Sequence, residues 1–522
     1  MSEKARITID PSYQIAKIDD RIYGSFIEHL GRAVYTGIYQ PGHISADEDG
    51  FRTDVLKLVR ELNVPIVRYP GGNFVSNFFW EDSVGPLSER KPRLDLAWRT
   101  VESNQFGIDE FQKWCEKAGA QIMMAVNLGT RGTSDALNLL EYCNLDTDTK
   151  YAQMRRNNGH AKSYGIKTWC MGNEMDGPWQ VGHKPAYEYG RLAAETAKAM
   201  KCMDDSLEFV MCGSSSVGMP TFPEWERITL DEAYDYIDYV SLHQYYGNQS
   251  GDTADYLAST LDLENFIHTV TCTIDFVKAK HHTNKKVNLS FDEWNVWYHS
   301  MSKDNEKMAR EPWDQHPPLL EDHYDFEDAL LVGLFLITFL RHADRIKIAC
   351  MAQLVNVIAP IMTEADGGAW RQTIFYPFYQ VSRYGRGISL ECPISCGRHD
   401  TKNHGGVTDI DAAAVYNEEN NEVTVFAVNR NTTEPVRIEV DLRGFSERAA
   451  ATGQGRSDRA DKEVSIIQHT EMSGFDVREV NTADNDAAVS PIEINDGSDA
   501  IDKGTYTAVL KPLSWNMIRF RI

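Results

Sequence analysis

The sequence predicts an α/β chain: a (β/α)8 TIM barrel with a C-terminal all-β sandwich, jelly-roll-like, that also takes in the N-terminal strand. Three observations predict it. Between residues 18 and 385, short apolar stretches alternate with amphipathic helical patterns eight times. Nearly every stretch ends in a polar or reactive side chain. Beyond residue 385 the helical period gives way to the two-residue alternation of strands.

The predicted barrel strands are residues 22–27, 66–69, 121–127, 167–173, 208–213, 236–243, 287–293 and 346–353. Helical patterns separate them, among them 51–62, 107–118, 185–203 and 324–342. In 185–203, Tyr189, Leu192, Ala193, Met200 and Met203 form a helical stripe. Alternating strands and helices fit a closed barrel or an open doubly wound sheet. No Gly-x-Gly-x-x-Gly follows the first strand, so a dinucleotide site lacks support and the barrel is favoured. The strand ends carry Glu28, His29, Arg68, Asn127, Asn173, Glu174, His243, Glu293 and Gln353. In a barrel those ends converge on one face, where active sites are built.

Residues 412–416, 422–428, 436–442, 506–510 and 517–522 alternate, with turn signals such as Asn420-Asn421 between them. Residues 5–9 alternate too and are expected to join this sandwich. The division is therefore 18–385 for the barrel and 1–17 plus 386–522 for the sandwich. Residues 446–504 are rich in Gly, Ser, Asp and Asn and read as long loops, with 463–469 a further strand.

A chain of 522 residues exceeds the usual single-domain ceiling. A net charge of -24 argues against nucleic acid or an anionic membrane as partner and suits a neutral substrate. The longest apolar run, residues 329–340, is short of the ~20 residues that span a bilayer and reads as a buried helix. The polar start lacks a signal-peptide apolar core. The nine cysteines include no Cys-x-x-Cys pair, and Cys170, Cys212 and Cys350 read as small buried hydrophobes. The expected location is the cytoplasm.

The chemistry concentrates in Gly172-Asn173-Glu174 and Asp292-Glu293-Trp294-Asn295, at the ends of the fourth and seventh strands. Cleaving a glycosidic bond requires two such carboxyls, one protonated to help the leaving oxygen depart and one ionised to attack the sugar carbon. Trp294 and Trp297 offer flat surfaces to a sugar ring. Each residue alone has a plainer reading: Glu28 as an ion-pair partner, Arg68 as a structural cation, the tryptophans as core, Pro70-Gly71-Gly72 as a tight turn. No metal is expected, because His281, His282, His316 and His323 lack a ligand arrangement with carboxylates. No cofactor is expected, and no loop cradles phosphate.

Five ordered motifs carry a resemblance. They are Gly24-Ser25-Phe26-Ile27-Glu28-His29-Leu30-Gly31-Arg32, Arg68-Tyr69-Pro70-Gly71-Gly72-Asn73-Phe74, Gly172-Asn173-Glu174-Met175-Asp176-Gly177, Ser241-Leu242-His243-Gln244-Tyr245-Tyr246 and Asp292-Glu293-Trp294-Asn295-Val296-Trp297-Tyr298. The chain resembles clan A glycoside hydrolases and, more closely, the α-L-arabinofuranosidases of family 51. The resemblance implies Glu293 as nucleophile and Glu174 as acid/base. It implies Asn173 on the sugar 2-hydroxyl, and Arg68 and Tyr245 aiming Glu293. Glu28, Asn73 and Gln353 would bind the other ring hydroxyls, Trp98, Trp297 and Trp179 would wall the pocket, and His243 would support the site without binding metal. The implied reaction is exo-acting, retaining release of terminal L-arabinofuranose from arabino-oligosaccharides or arabinoxylo-oligosaccharides. The implied assembly is a homo-oligomer, the hexamer among its forms. A β-xylosidase or endo-glucanase on the same scaffold, or a non-catalytic carbohydrate-binding protein, are the alternatives.

Overall fold

A computed structural model describes residues 3–445, 464–494 and 500–522. Eight parallel strands close into a barrel in chain order: Gly24–Phe26, Ile66–Tyr69, Gln121–Ala125, Thr168–Met171, Glu208–Cys212, Tyr239–Tyr246, Asn288–Val296 and Ile346–Met351. The eighth pairs back to the first through Cys350–Gly24 and Met351–Ser25. Barrel strands are covered on both faces, which is why they read as nearly unbroken apolar runs. The first is shorter than the sequence predicts, because Asp20–Tyr23 forms a 3-10 turn capped by the Asp19 carboxylate. The sixth is shifted three residues toward its C-terminal end, to Tyr246, and the seventh runs longer, to Val296, which carries their polar residues into the mouth of the barrel.

The sandwich pairs a five-stranded sheet with a seven-stranded one. Glu3–Thr8 lies parallel to Val436–Asp441 in the first sheet, and Gln14–Lys17 edges the second. Ala5, Ile7 and Ile9 join Val423, Ile438, Ala508 and Phe520 in one apolar core.

Barrel and sandwich meet across the helix Phe326–Arg341, whose residues from Phe326 to Leu340 are all buried. Its apolar run lies between two sheets, so no face is left polar. On the barrel side Phe335 and Phe339 pack against Trp294 at 5.2 and 5.1 Å between ring centroids. On the sandwich side Gly333 lies so close to Trp515 that a Cβ there would meet its ring at 2.5 Å. Each large apolar side chain buried here contributes roughly 1.5–3 kcal/mol.

The expected long loops at 446–504 need correction. Residues 446–463 and 495–499, Glu463 of the predicted strand included, lie outside the described residues. A strand runs from Ser465 to Met472, and the segment after it is tied to the barrel instead of hanging in solvent. Val477 C=O accepts from Glu327 N–H at 3.2 Å, and Asp486 pairs with Arg371 at 2.7 Å. Cys170, Cys212 and Cys350 are buried, and all nine cysteines are free thiols. Among the described residues no helix is long and apolar enough to cross a membrane.

Candidate active site

The seventh strand holds one extra residue against its neighbours. Its pairing with the sixth steps from Ser241–Ser290 to His243–Glu293, and against the eighth it slips between Phe291 and Trp294. Such a bulge re-aims successive side chains. Asp292 and Glu293 both turn to the polar interior, while Phe291 and Trp294 pack outward on the helix behind. Trp294, expected to face a sugar, is instead fully buried core.

Glu293 is clamped. Arg68 Nη1 donates to its Oε1 at 2.6 Å, and Tyr245 O–H donates to Oε2 at 2.9 Å. The other arm of Arg68 donates to Asn173 Oδ1 at 2.6 Å, so one guanidinium fixes the ends of three strands. Asn173 Nδ2 lies 3.4 Å from Asn73 Oδ1. Gly72 makes this crowding possible: a Cβ there would come within 2.7 Å of Glu293 Oε1 and 3.5 Å of both Asn173 Nδ2 and Glu28 Oε2. Pro70-Gly71-Gly72 is thus a close-approach site as well as a turn.

Glu174 follows Gly172 at the end of the fourth strand, with φ of 43°, a left-handed conformation uncommon outside glycine. Its Oε2 accepts from Trp179 Nε1 at 2.7 Å, and its Oε1 lies 2.9 Å from His243 Nδ1. One carboxylate oxygen of Glu174 and one of Glu293 lie within 4.8 Å of each other.

His243 bridges the two halves. Its Nε2 lies 3.1 Å from Asp292 Oδ1, and its Nδ1 is 3.6 Å from Glu293 Oε2. Burial disfavours the imidazolium, but Glu293, Asp292 and Glu174 outweigh it and raise the ring to about 10. Burial would likewise push Asp292 up, yet Arg68 and His243 hold it below the usual carboxylate range. Ser241 O–H also donates to Asp292.

Glu28 Oε1 accepts from Phe74 N–H at 2.9 Å and Trp98 Nε1 at 3.0 Å, and Gln353 Nε2 lies 3.4 Å from its Oε2. Burial first, then the charge of Glu293, lifts the Glu28 carboxyl to about 8. Trp297 stands edge-on to Tyr245 at 5.6 Å, its buried Nε1 without a protein partner. Trp98 rides a hairpin, Arg93–Asp95 with Thr100–Glu102, which is bonded to the segment after Arg310: Trp313 N–H to Arg99 C=O at 2.6 Å and Val101 N–H to Asp314 C=O at 3.0 Å. Trp179, half exposed, stands at the rim.

The structure therefore gathers Glu28, Arg68, Asn73, Trp98, Asn173, Glu174, His243, Tyr245, Glu293, Trp297 and Gln353 around one centre. Sequence reasoning passed over Asp292 as a functional residue and did not foresee the Trp179 bond to Glu174. A charged residue inside an otherwise apolar strand was the available signal for Asp292. Two sets of side chains, Glu174–His243–Glu293 and His299–Asp325–Asp328, have spacing that could hold a metal ion. Each already carries a protein cation, Arg68 on Glu293 and Arg478 on Asp325.

Two carboxyls at this range, at the ends of the fourth and seventh strands of a closed barrel, form the short-range pair of a retaining glycoside hydrolase. Family models agree: residues 58–266 match the alpha-L-arabinofuranosidase 1 domain, and residues 292–514 match the alpha-L-arabinofuranosidase C-terminal domain. The chain is 58% identical over 518 residues to an intracellular exo-alpha-(1->5)-L-arabinofuranosidase of Acetivibrio thermocellus, covering 99% of each. It is 53% identical over 519 residues to the protein of the same name from Halalkalibacterium halodurans, again covering 99% of each. A solved family 51 alpha-L-arabinofuranosidase from Bifidobacterium longum superposes with a TM-score of 0.91 at 43% identity, covering 99% of each chain. The chain belongs to the α-L-arabinofuranosidases of glycoside hydrolase family 51.

Proposed function

We propose that this protein is an exo-acting, retaining α-L-arabinofuranosidase that releases terminal L-arabinofuranose from arabino-oligosaccharides or arabinoxylo-oligosaccharides. The observation that carries the mechanism is the close Glu174–Glu293 pair, with Arg68 and Tyr245 on Glu293, Trp179 on Glu174 and His243 between them. Glu293 attacks the anomeric carbon while Glu174 gives its proton to the departing oxygen, leaving an arabinosyl ester on Glu293. Glu174, now a carboxylate, takes a proton from water, and the hydroxide equivalent displaces Glu293 from the same carbon. Two inversions restore the starting configuration.

The charges around the pair balance in both halves of the cycle. Before attack, Arg68 and His243 oppose Asp292 and Glu293, with Glu174 protonated. After attack the Glu293 charge is gone, and the same two cations oppose Asp292 and Glu174. The net charge of these five groups is thus the same, zero, in both halves of the cycle. Asn173 binds the 2-hydroxyl, where a bond can strengthen as the oxocarbenium-like state forms. Glu28, Asn73 and Gln353 hold the remaining hydroxyls, Trp98, Trp297 and Trp179 wall the ring and the leaving group, and Tyr245 and Arg68 keep Glu293 aimed.

The names of the relatives, intracellular and exo-alpha-(1->5), support an α-1,5 linkage and an intracellular site of action. Residues 18–385 form the catalytic unit in this reading, and 1–17 with 386–522 the bracing unit. A homo-oligomer, hexameric in one form, is proposed on family resemblance and is tested by sedimentation.

The test is hydrolysis of 4-nitrophenyl α-L-arabinofuranoside by wild type, Glu293→Ala and Glu174→Ala, each with and without azide. Turnover by wild type, loss in both variants by several orders of magnitude, and azide rescue of Glu174→Ala to the α-arabinosyl azide are expected. A folded wild type that leaves this substrate intact but cleaves the matching xyloside or glucoside overturns the reading.

A further inference from the structure

The four carboxylates of Asp322, Asp325, Glu327 and Asp328 lie at the start of the Phe326–Arg341 helix, and none is more than 3% exposed. They sit behind the pocket wall. Asp322 accepts the backbone N–H groups of Tyr298, His299 and Ser300 at 3.1, 3.0 and 2.9 Å, and so shapes the chain directly after Trp297. Asp328 meets Tyr256 O–H at 2.9 Å and His299 Nε2 at 2.7 Å. Glu327 accepts from Asn248 Nδ2 at 2.8 Å and Thr253 O–H at 2.6 Å.

Among the described residues one arginine or lysine reaches this knot, and it comes from the sandwich. Arg478 Nη1 lies 2.6 Å from Glu327 Oε1, 3.0 Å from Asp325 Oδ2 and 3.1 Å from the Tyr298 hydroxyl. The segment carrying it is anchored on both sides. Phe475 packs edge-on to Phe326 at 5.2 Å, Val480 bridges to Asp325, and Asp486 accepts from Arg371 and, through its carbonyl, from Tyr376. Burial and the neighbouring Asp328 and Glu327 lift the Asp325 carboxyl to about 8 even with Arg478 opposing them.

We propose that Arg478 is a positioning residue for the active site, holding the Trp297–Ser300 wall in place by neutralising the buried acids behind it and fixing Tyr298. It touches no substrate. It acts through Tyr298, whose neighbour Trp297 stands against Tyr245, the residue that donates to Glu293. Supporting groups of this kind hold a site to its working geometry. The polar segment after Met472 thereby gains a role in catalysis that bracing alone would not give it.

The inference rests on the arabinofuranosidase reading for its kinetic readout and stands apart from it in a second one. Full-length Arg478→Gln, Arg478→Lys and Tyr298→Phe are compared with wild type on 4-nitrophenyl α-L-arabinofuranoside, and amide hydrogen exchange is followed over residues 296–301. Arg478→Gln is expected to raise KM about fivefold with kcat within about twofold, the pattern of lost binding geometry. It should also speed exchange over that peptide, as local opening would. Arg478→Lys keeps the charge and should recover most of the KM. Tyr298→Phe removes the bond without leaving a buried charge unpaired, and should raise KM about threefold. Wild-type KM and exchange in Arg478→Gln, with only a lower melting temperature, overturn the proposal. Should Arg478→Gln fail to fold, a Tyr298→Phe variant with wild-type KM and exchange overturns it equally. A wild type that does not turn over sinks the arabinofuranosidase reading and leaves the exchange comparison to decide the role of Arg478.

Discussion

Replacing Glu28 by Gln should make the protein more stable, and increasingly so as pH rises. The Glu28 carboxyl moves from an ordinary 4.5 to about 8 in the folded chain, because it is buried beside Glu293. Between those two values the folded state holds a proton that the unfolded chain has released. Folding stability therefore falls as pH rises, by about 1.4 kcal/mol per pH unit. The contribution is whole below pH 4.5 and fully lost once the pH passes about 8. Glutamine is a permanent mimic of the protonated acid. Its oxygen can keep the bonds from Phe74 and Trp98, while its NH2 cannot accept the bond that Gln353 Nε2 donates to Glu28 Oε2, a loss that does not vary with pH. After about 1 kcal/mol for that lost bond, the variant should roughly match wild type at pH 5 and exceed it by about 2 kcal/mol at pH 7. Unfolding of both proteins is followed in urea at pH 5, 6, 7 and 8, where titration of groups that do not face Glu28 cancels in the difference. A difference that is flat with pH, or that favours wild type at pH 8, refutes the reasoning. Activity should stay near wild type where Glu28 is protonated and fall behind it above about pH 8, where ionised Glu28 becomes the stronger acceptor for a ring hydroxyl.

Asp292→Asn keeps shape and removes the charge that Arg68 and His243 face. His243 should then lose its proton at a pH lower by about one unit, followed by NMR titration of its ring; an unmoved transition would show that Asp292 does not set the charge of His243. Gly333→Ala sets helix propensity, a gain of about 1 kcal/mol, against a Cβ pressed to 2.5 Å from the Trp515 ring. Overpacking costs about 1–3 kcal/mol and wins, so the melting temperature should drop, and a rise would mean that the two sheets part more easily than their packing indicates.

The barrel was legible because each strand is covered on both faces, and continuous apolar runs such as Ile66–Tyr69 announce themselves. Polar residues at the strand ends were legible for the converse reason: Glu28, Arg68 and Asn173 each have a plainer reading alone, but together, beside apolar core at the ends of successive strands, they point to a site. What periodicity could not give was Asp292 and Trp294. Strict alternation cannot send Asp292 and Glu293 to the same side, and the bulge that does so is a property of the pairing with both neighbours, absent from any one strand's sequence. The flat ring of Trp294 suggested a sugar platform, yet its place is set by Phe335 and Phe339, more than forty residues away. Composition likewise marked the segment after Met472 as loop, because polar residues that bond to a barrel look in sequence like polar residues that bond to water.

The parallel pairing of Glu3–Thr8 with Val436–Asp441 has a consequence for how the molecule is made. A ribosome releases the first strand long before its partner exists, as the 435-residue separation of Arg6 and Asp441 makes plain. Closing so long a loop adds little entropy beyond what a loop half that length would need, but it must wait for synthesis. Until then Ala5, Ile7 and Ile9 present an apolar strand edge with nothing beside it. A barrel expressed without residues 386–522 would carry that edge for its whole life, so the shortest useful version of this enzyme is one that keeps both ends.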